Sequence, residues 1–113
     1  MDEYIVTYLQ DVLDAINELE SFFEGYPMRF DVFKQDHLRI SAVERKVEIM
    51  GEAINRILKI EPQFDLANAK DIINTRNRII HGYDSVTSEF LWSLVIRHIP
   101  VLKKDVEQLL GIE

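Results

Sequence analysis

In four stretches of this chain, apolar residues return every three or four positions, and no stretch alternates with a period of two. A stripe at 3.6 residues per turn lines one face of a helix, whereas a half-buried strand needs strict alternation, so the pattern points to helices alone. Ile5, Leu9, Val12, Ile16, Leu19 and Phe23 predict a helix from about residue 3 to Glu24, ended by Gly25 and Pro27. A turn-rich stretch follows, with room for a short extra helix at 28–36 around Phe30 and Phe33. Ile40, Val43, Val47, Met50, Ile54 and Ile57 form the second stripe, with Asp36 or Ser41 as its cap and an end before Pro62. The third runs from about Leu66 to Ile80, with Leu66, Ala69, Ile72, Ile73, Ile79 and Ile80 inward and Gly82 just past its end. The fourth begins near Ser85 or Thr87 and carries Trp92, Val95, Ile99, Leu102, Val106 and Leu109. Pro100 falls inside it and removes the hydrogen bond to the Ile96 carbonyl; because the stripe keeps phase, a kink is expected there.

These segments predict an all-α fold, an up-and-down antiparallel bundle of four long helices in one domain spanning residues 1–113. A chain of this size buries roughly two-thirds of its unfolded surface around one core. Its 47% hydrophobic and 29% charged residues are a globular balance, far from disorder. With no cysteine, disulfides, thiolate metal sites and cysteine nucleophiles are excluded. The acidic start Met1-Asp2-Glu3 is unlike a secretory leader, and no apolar run approaches a bilayer span, so a cytoplasmic protein without membrane contact is expected.

The net charge of -7 opposes nucleic-acid binding, but it is unevenly spread. From Arg39 to His81 eight basic residues face six acidic ones, a local balance of +2 that leaves -9 for the remainder. A basic middle in an acidic chain suits one anion site, although solvated helix faces produce similar fluctuations.

The chemistry concentrates in Arg76-Asn77-Arg78-Ile79-Ile80-His81-Gly82-Tyr83. Five positions on a straight helix put Arg76 and His81 about 140° apart. A left-handed cap at Gly82 would leave His81 at the helix end, within reach of a long arginine, while Asn77, four residues earlier, shares the face of the imidazole and can orient it. A histidine ordinarily titrates near ~6.5 and can take a proton from a ribose 2′-hydroxyl, and an arginine can hold the phosphate bidentately as charge builds. RNA brings its own nucleophile, so neither metal nor cofactor is needed. Capping and the helix dipole also select cations in a last turn followed by glycine, so spacing alone leaves a purely structural helix end open.

The run Arg76-Asn77-x-x-x-His81-x-Tyr83 resembles the signature of HEPN domains in the Arg-x4-His-x-Tyr form of HepT-like toxins. The similarity continues in order through Tyr8–Leu13, Val47-Glu48-Ile49-Met50-Gly51-Glu52-Ala53, and Trp92 to Leu102 with its internal Pro100. The resemblance implies a homodimer in which Arg76 and His81 of two protomers line one cleft as catalytic residues, supported by Asn77, Arg78 and Tyr83. It further implies a metal-independent endoribonuclease cutting RNA, tRNA among the targets, and a minimal nucleotidyltransferase antitoxin that transfers AMP to Tyr83. The modification would set bulk and negative charge beside the histidine. Some HEPN domains only bind, so a non-catalytic helical module docking a nucleotidyltransferase is the alternative.

Glu52 matches a family position and can support Arg76 or His81, or simply pair with Arg56 one turn on. Gly51, costly within a helix, suggests close helix approach or a dimer contact. His37 and His98 read as surface or boundary residues, and no histidine and carboxylate set has metal-ligand spacing. The glycines at 25, 51, 82 and 111 form no phosphate-cradling loop. Phe22, Phe23, Phe30, Phe33, Phe90 and Trp92 offer base-stacking surfaces in principle, but at helical spacing they suit a core or dimer interface.

Overall fold

The computed structural model describes residues 1–82 and 86–112, and its regular structure there is entirely helical, without a strand. Tyr83 and the alternative helix start at Ser85 lie outside the described residues.

Helix α1 (Glu3–Ser21) starts where the Asp2 carboxylate accepts hydrogen bonds from the amides of Tyr4 at 2.7 Å and Ile5 at 3.2 Å. It stops a turn short of the expected Glu24, because the chain tightens after Ser21 and Gly25 adopts a φ of 68° that other residues resist. The expected short helix is present as α2 (Phe30–Phe33). Of the two candidate caps for α3 (His37–Ile60) it is Asp36 that serves, accepting from the Arg39 amide at 3.1 Å. Arg39 also ties the α1–α3 connection together: its guanidinium donates to Asp36 at 2.7 Å and to the Phe22 carbonyl at 2.8 Å, and lies 4.0 Å from the centre of the Tyr26 ring. Hydrogen bonds from the Arg39 side chain, and then from its amide, hold the Asp36 carboxyl below its ordinary value; burial, and then the hydrogen bond to Asp36, raises Tyr26.

Helix α4 (Ala69–His81) begins later than the expected Leu66, after Asn68 takes a left-handed φ of 61°. Leu66 is buried all the same, in the loop. Thr87 caps α5 (Ser88–Ser93), its hydroxyl accepting from the Phe90 amide. The expected kink at Pro100 is resolved differently. Residues Leu94–His98 form a widened turn in which the Ile99 amide reaches back five residues to Leu94, and α6 (Ile99–Leu110) follows with Pro100 in its first turn. A first-turn amide has no helical partner to lose, so the widening lets a proline sit in a continuous helical path.

Helix α3 is the centre of the molecule, packing on α1 along one side and on α4 along the other; α6 covers α1, and α2 and α5 close one end against α3. The four stripes meet in one core that includes Leu9, Ile16, Val47, Ile54, Ile72, Leu94 and Leu102. Trp92, half-buried, stacks on the fully buried Phe33 at 5.0 Å between centroids and borders Phe23 and Phe30, so these four aromatics are structural. Two expected inward residues face out instead: Ile80 is 45% exposed and Leu109 36%. The inward positions of α4 are Ala69, Ile72 and Thr75, with Ile79 partly buried, and Ile80 lies about 100° past Ile79.

Candidate active site

On α4 the buried residues Ala69 and Ile72 and the partly buried Ile79 mark the inward stripe, and Arg76 falls in phase with them at steps of three, four and three. Its neighbour Thr75 is fully buried, the hydroxyl donating to the Asp71 carbonyl at 2.7 Å. A charged residue therefore occupies a core-facing place on the helix. What admits it is Gly51 on α3: a Cβ there would stand 2.6 Å from Cβ, 2.8 Å from Cδ and 3.1 Å from Cγ of Arg76. The aliphatic stem of Arg76 lies across the bare backbone of α3, and its Nε is buried without a hydrogen-bond partner.

Four of the six other arginines are paired, whereas the exposed Arg78 and Arg97 have no ion pair among the described residues. Arg29, Arg39, Arg45 and Arg56 each pair with a carboxylate, at 2.7, 2.7, 3.3 and 3.0 Å. Arg76 is half-buried and, among the described residues, has neither an ion pair nor a hydrogen bond. A half-buried guanidinium with a buried, unpartnered Nε and no counter-ion is suited to an arriving anion.

His81 is the last residue of α4 and is exposed. The expected left-handed cap is present: Gly82 has a φ of 73° and donates to the Arg78 carbonyl at 3.2 Å. Because α4 stays regular through His81, the backbone directions of Arg76 and His81 remain about 140° apart, with Arg76 turned to α3 and His81 at the free end.

Asn77 and Arg78 lie on another flank of α4, where they line a surface depression with Asp71, Asn74, Thr75 and Phe90. The Arg78 guanidinium lies 5.8 Å from the centre of the Phe90 ring. Arg78 is thus not brought to Arg76. Phe90, 39% exposed, stands apart from the buried aromatic cluster, a distinction the even spacing of aromatics did not reveal. Glu52 takes the simpler of its two readings. It pairs with Arg56 at 3.0 Å in a groove between α1 and α3 lined also by Tyr8, Asp11 and Asp14, while its neighbour Gly51 faces Arg76. Hydrogen bonds to Tyr8 and then Glu52 raise Arg56 further above its already high value.

His98 is a boundary residue, its Nδ1 2.8 Å from the Asn68 side-chain oxygen and 3.9 Å from Asp71, tying the start of α4 to the widened turn; His37 is exposed at the start of α3. Among the described residues no three histidine or carboxylate groups converge as a metal site, and no helix is long and apolar enough to cross a membrane.

The chain that builds this helical scaffold is matched over most of its length by a ribonuclease family. The family described as Ribonuclease HepT-like matches residues 12–109, and the chain belongs to it. Among curated relatives, it is 32% identical over 106 residues to the protein named Probable ribonuclease HepT of Thermococcus cleftensis, covering 90% of this chain and 92% of that one. It is 29% identical over 107 residues to a protein named Putative RNase of Caldanaerobacter subterraneus, with 94% of each chain covered. No solved structure matches it significantly.

Proposed function

We propose that this protein is the toxin of a toxin–antitoxin pair, a metal-independent endoribonuclease whose catalytic groups are Arg76 and His81. His81 takes the proton of a ribose 2′-hydroxyl, the 2′-oxygen attacks the adjacent phosphorus, and the bond to the 5′-oxygen breaks. The products are a 2′,3′-cyclic phosphate and a 5′-hydroxyl that receives a proton from a histidine. Arg76 donates from its guanidinium to the non-bridging oxygens as negative charge accumulates.

The observation that carries this reading is the half-buried Arg76 without a counter-ion, five residues before a histidine at a glycine-capped helix end. The angle between the two side chains favours a homodimer in which Arg76 of one protomer and His81 of its partner act on one phosphate. Asn77 orients the imidazole, and Arg78 with Phe90 offers a charged and aromatic surface to flanking nucleotides. tRNA is a candidate target. Tyr83 is the site at which a minimal nucleotidyltransferase antitoxin would transfer AMP, placing a phosphate close in sequence to His81 and repelling RNA.

Purified, unmodified protein incubated with RNA in EDTA should yield 2′,3′-cyclic phosphate ends, and His81→Ala or Arg76→Ala should abolish them. Undiminished cutting by His81→Ala would remove the proposed chemistry. Intact mass after co-expression with a minimal nucleotidyltransferase should rise by whole adenylates, and the increase should vanish in Tyr83→Phe.

A further inference from the structure

Gly51 stands on a different helix from the proposed catalytic pair, yet its missing side chain decides where Arg76 can lie. The 2.6 Å approach of a Cβ at position 51 would be to the Cβ of Arg76, an atom fixed to the α4 backbone that no rotamer change can move. The approaches to Cγ and Cδ, at 3.1 and 2.8 Å, show that the stem then continues over the same spot. In the middle of a 24-residue helix glycine is a poor choice, less favourable than alanine because its backbone loses more freedom on folding. The Arg76 Nε, buried and unpartnered beyond this crossing, adds a second unfavourable feature at the same place. Two local costs converge on one contact, which holds an arginine in a core-facing position with its stem against the α3 backbone.

We infer that Gly51 is a positioning residue for Arg76: the notch it leaves in α3 sets the α3–α4 separation and the course of the arginine stem, delivering the guanidinium to the scissile phosphate in one orientation. The inference rests on the reading of Arg76 as catalytic. Any larger side chain at position 51 pushes α4 and the arginine outward by several tenths of an ångström or more, and misplacement on the scale of 1 Å can cost about a hundredfold in rate.

The test is a double-mutant cycle on the full chain, with cleavage of a single-stranded RNA oligonucleotide and binding of its uncleavable 2′-deoxy analogue as readouts. Gly51→Ala should lower kcat by about ten- to a hundredfold. It should also reduce the slope of log affinity against log salt by about 0.7, the loss of one phosphate contact on a single strand, as Arg76→Ala does. In the Arg76→Gly background, where no Cβ is left for the new methyl to meet, Gly51→Ala should change neither the salt slope nor the residual rate by more than about twofold. Equal effects of Gly51→Ala in both backgrounds would mean that it acts on the fold in general and would overturn the proposal. If Gly51→Ala does not fold, Gly51→Ala with Arg76→Gly removes the Arg76 Cβ that the new methyl would meet and should recover the melting transition; failure to recover it would also overturn the proposal. If Arg76→Ala itself leaves cleavage and salt slope untouched, the catalytic reading of Arg76 fails. If Arg76→Ala is inactive while Gly51→Ala is fully active, the positioning role alone fails.

Discussion

Replacing Arg76 by lysine should make the protein more stable and less active at once. The two side chains share the stem from Cβ to Cδ that lies across Gly51, so packing against α3 is kept. The next atom differs: lysine has a methylene where arginine has Nε, and in this structure that Nε is buried without a partner. An unsatisfied buried donor costs about 1–3 kcal/mol, and lysine avoids it while keeping the positive charge and a similar helix propensity. Part of the gain is offset by holding the lysine ammonium near the surface, so a net stabilisation of about 1 kcal/mol is expected, a rise of roughly 4 °C in Tm for a domain of this size. Urea unfolding should show a higher midpoint with an unchanged slope, because the exposed surface on unfolding is the same. Cleavage should fall by roughly 10²–10³-fold, since a single ammonium cannot reproduce the two-pronged donor set at a developing phosphate charge. Arg76→Met should match the stability gain and be less active still. An Arg76→Lys protein that unfolds more easily by over about 0.5 kcal/mol would refute the reasoning, for it would mean that the Nε makes a stabilising bond in solution; so would one that retains cleavage.

Other consequences are separable. Phe33→Ala empties the fully buried centre of the aromatic cluster with Trp92 and Phe23, and should cost about 3–5 kcal/mol by urea unfolding, with a value under about 1 kcal/mol contradicting its central place. The Asp36 carboxyl is held below its ordinary value chiefly by Arg39. Its contribution is therefore complete above the unfolded aspartate pKa of about 3.9 and is lost as pH falls through the lower folded value, so Asp36→Asn should lower Tm at neutral pH and flatten its decline in acid. Gly82→Ala meets no other atom among the described residues but must adopt a positive φ, and should destabilise the end of α4 by about 1–2 kcal/mol, seen as lower Tm and faster amide exchange there, with Gly82→Asn milder. Phe90→Ala should raise KM for RNA roughly tenfold with little change in kcat or Tm, if the exposed ring stacks on a base.

The stripes of α1 and α3 are legible because most of their apolar residues at helical spacing are buried in the core, so that period and burial coincide. Asp36, Thr87 and Gly82 were legible as helix ends because capping is local chemistry. Leu66 was found as a core residue but misassigned to a helix, since burial does not require helical backbone. Ile80 was assigned inward because two adjacent isoleucines fit a broad apolar face, whereas the α4 contact with α3 is narrow enough to take only Ile79. The same narrow stripe, Ala69, Ile72, then Ile79, contains Arg76 in phase, a signal present in the sequence but hidden by counting apolar residues alone. Pro100 was read as a kink because the sequence shows where a hydrogen bond is missing but not how the preceding turn widens to accommodate it.

What the sequence by itself determined was the all-helical class, most of the core, the helix ends, and the candidate residues for the chemistry, since periodicity, capping and side-chain chemistry depend on near neighbours in the chain. Tertiary structure decided which way those residues point and what they meet. Gly51 and Arg76 are 25 positions apart, and Arg78 and Phe90 are 12 apart. Their pairing depends on the separation and rotation of packed helices, quantities summed over the whole core and written in no single segment. That is why Arg76 could be named from the motif, whereas its place across the bare backbone of α3, with a buried and unpartnered Nε, required the fold.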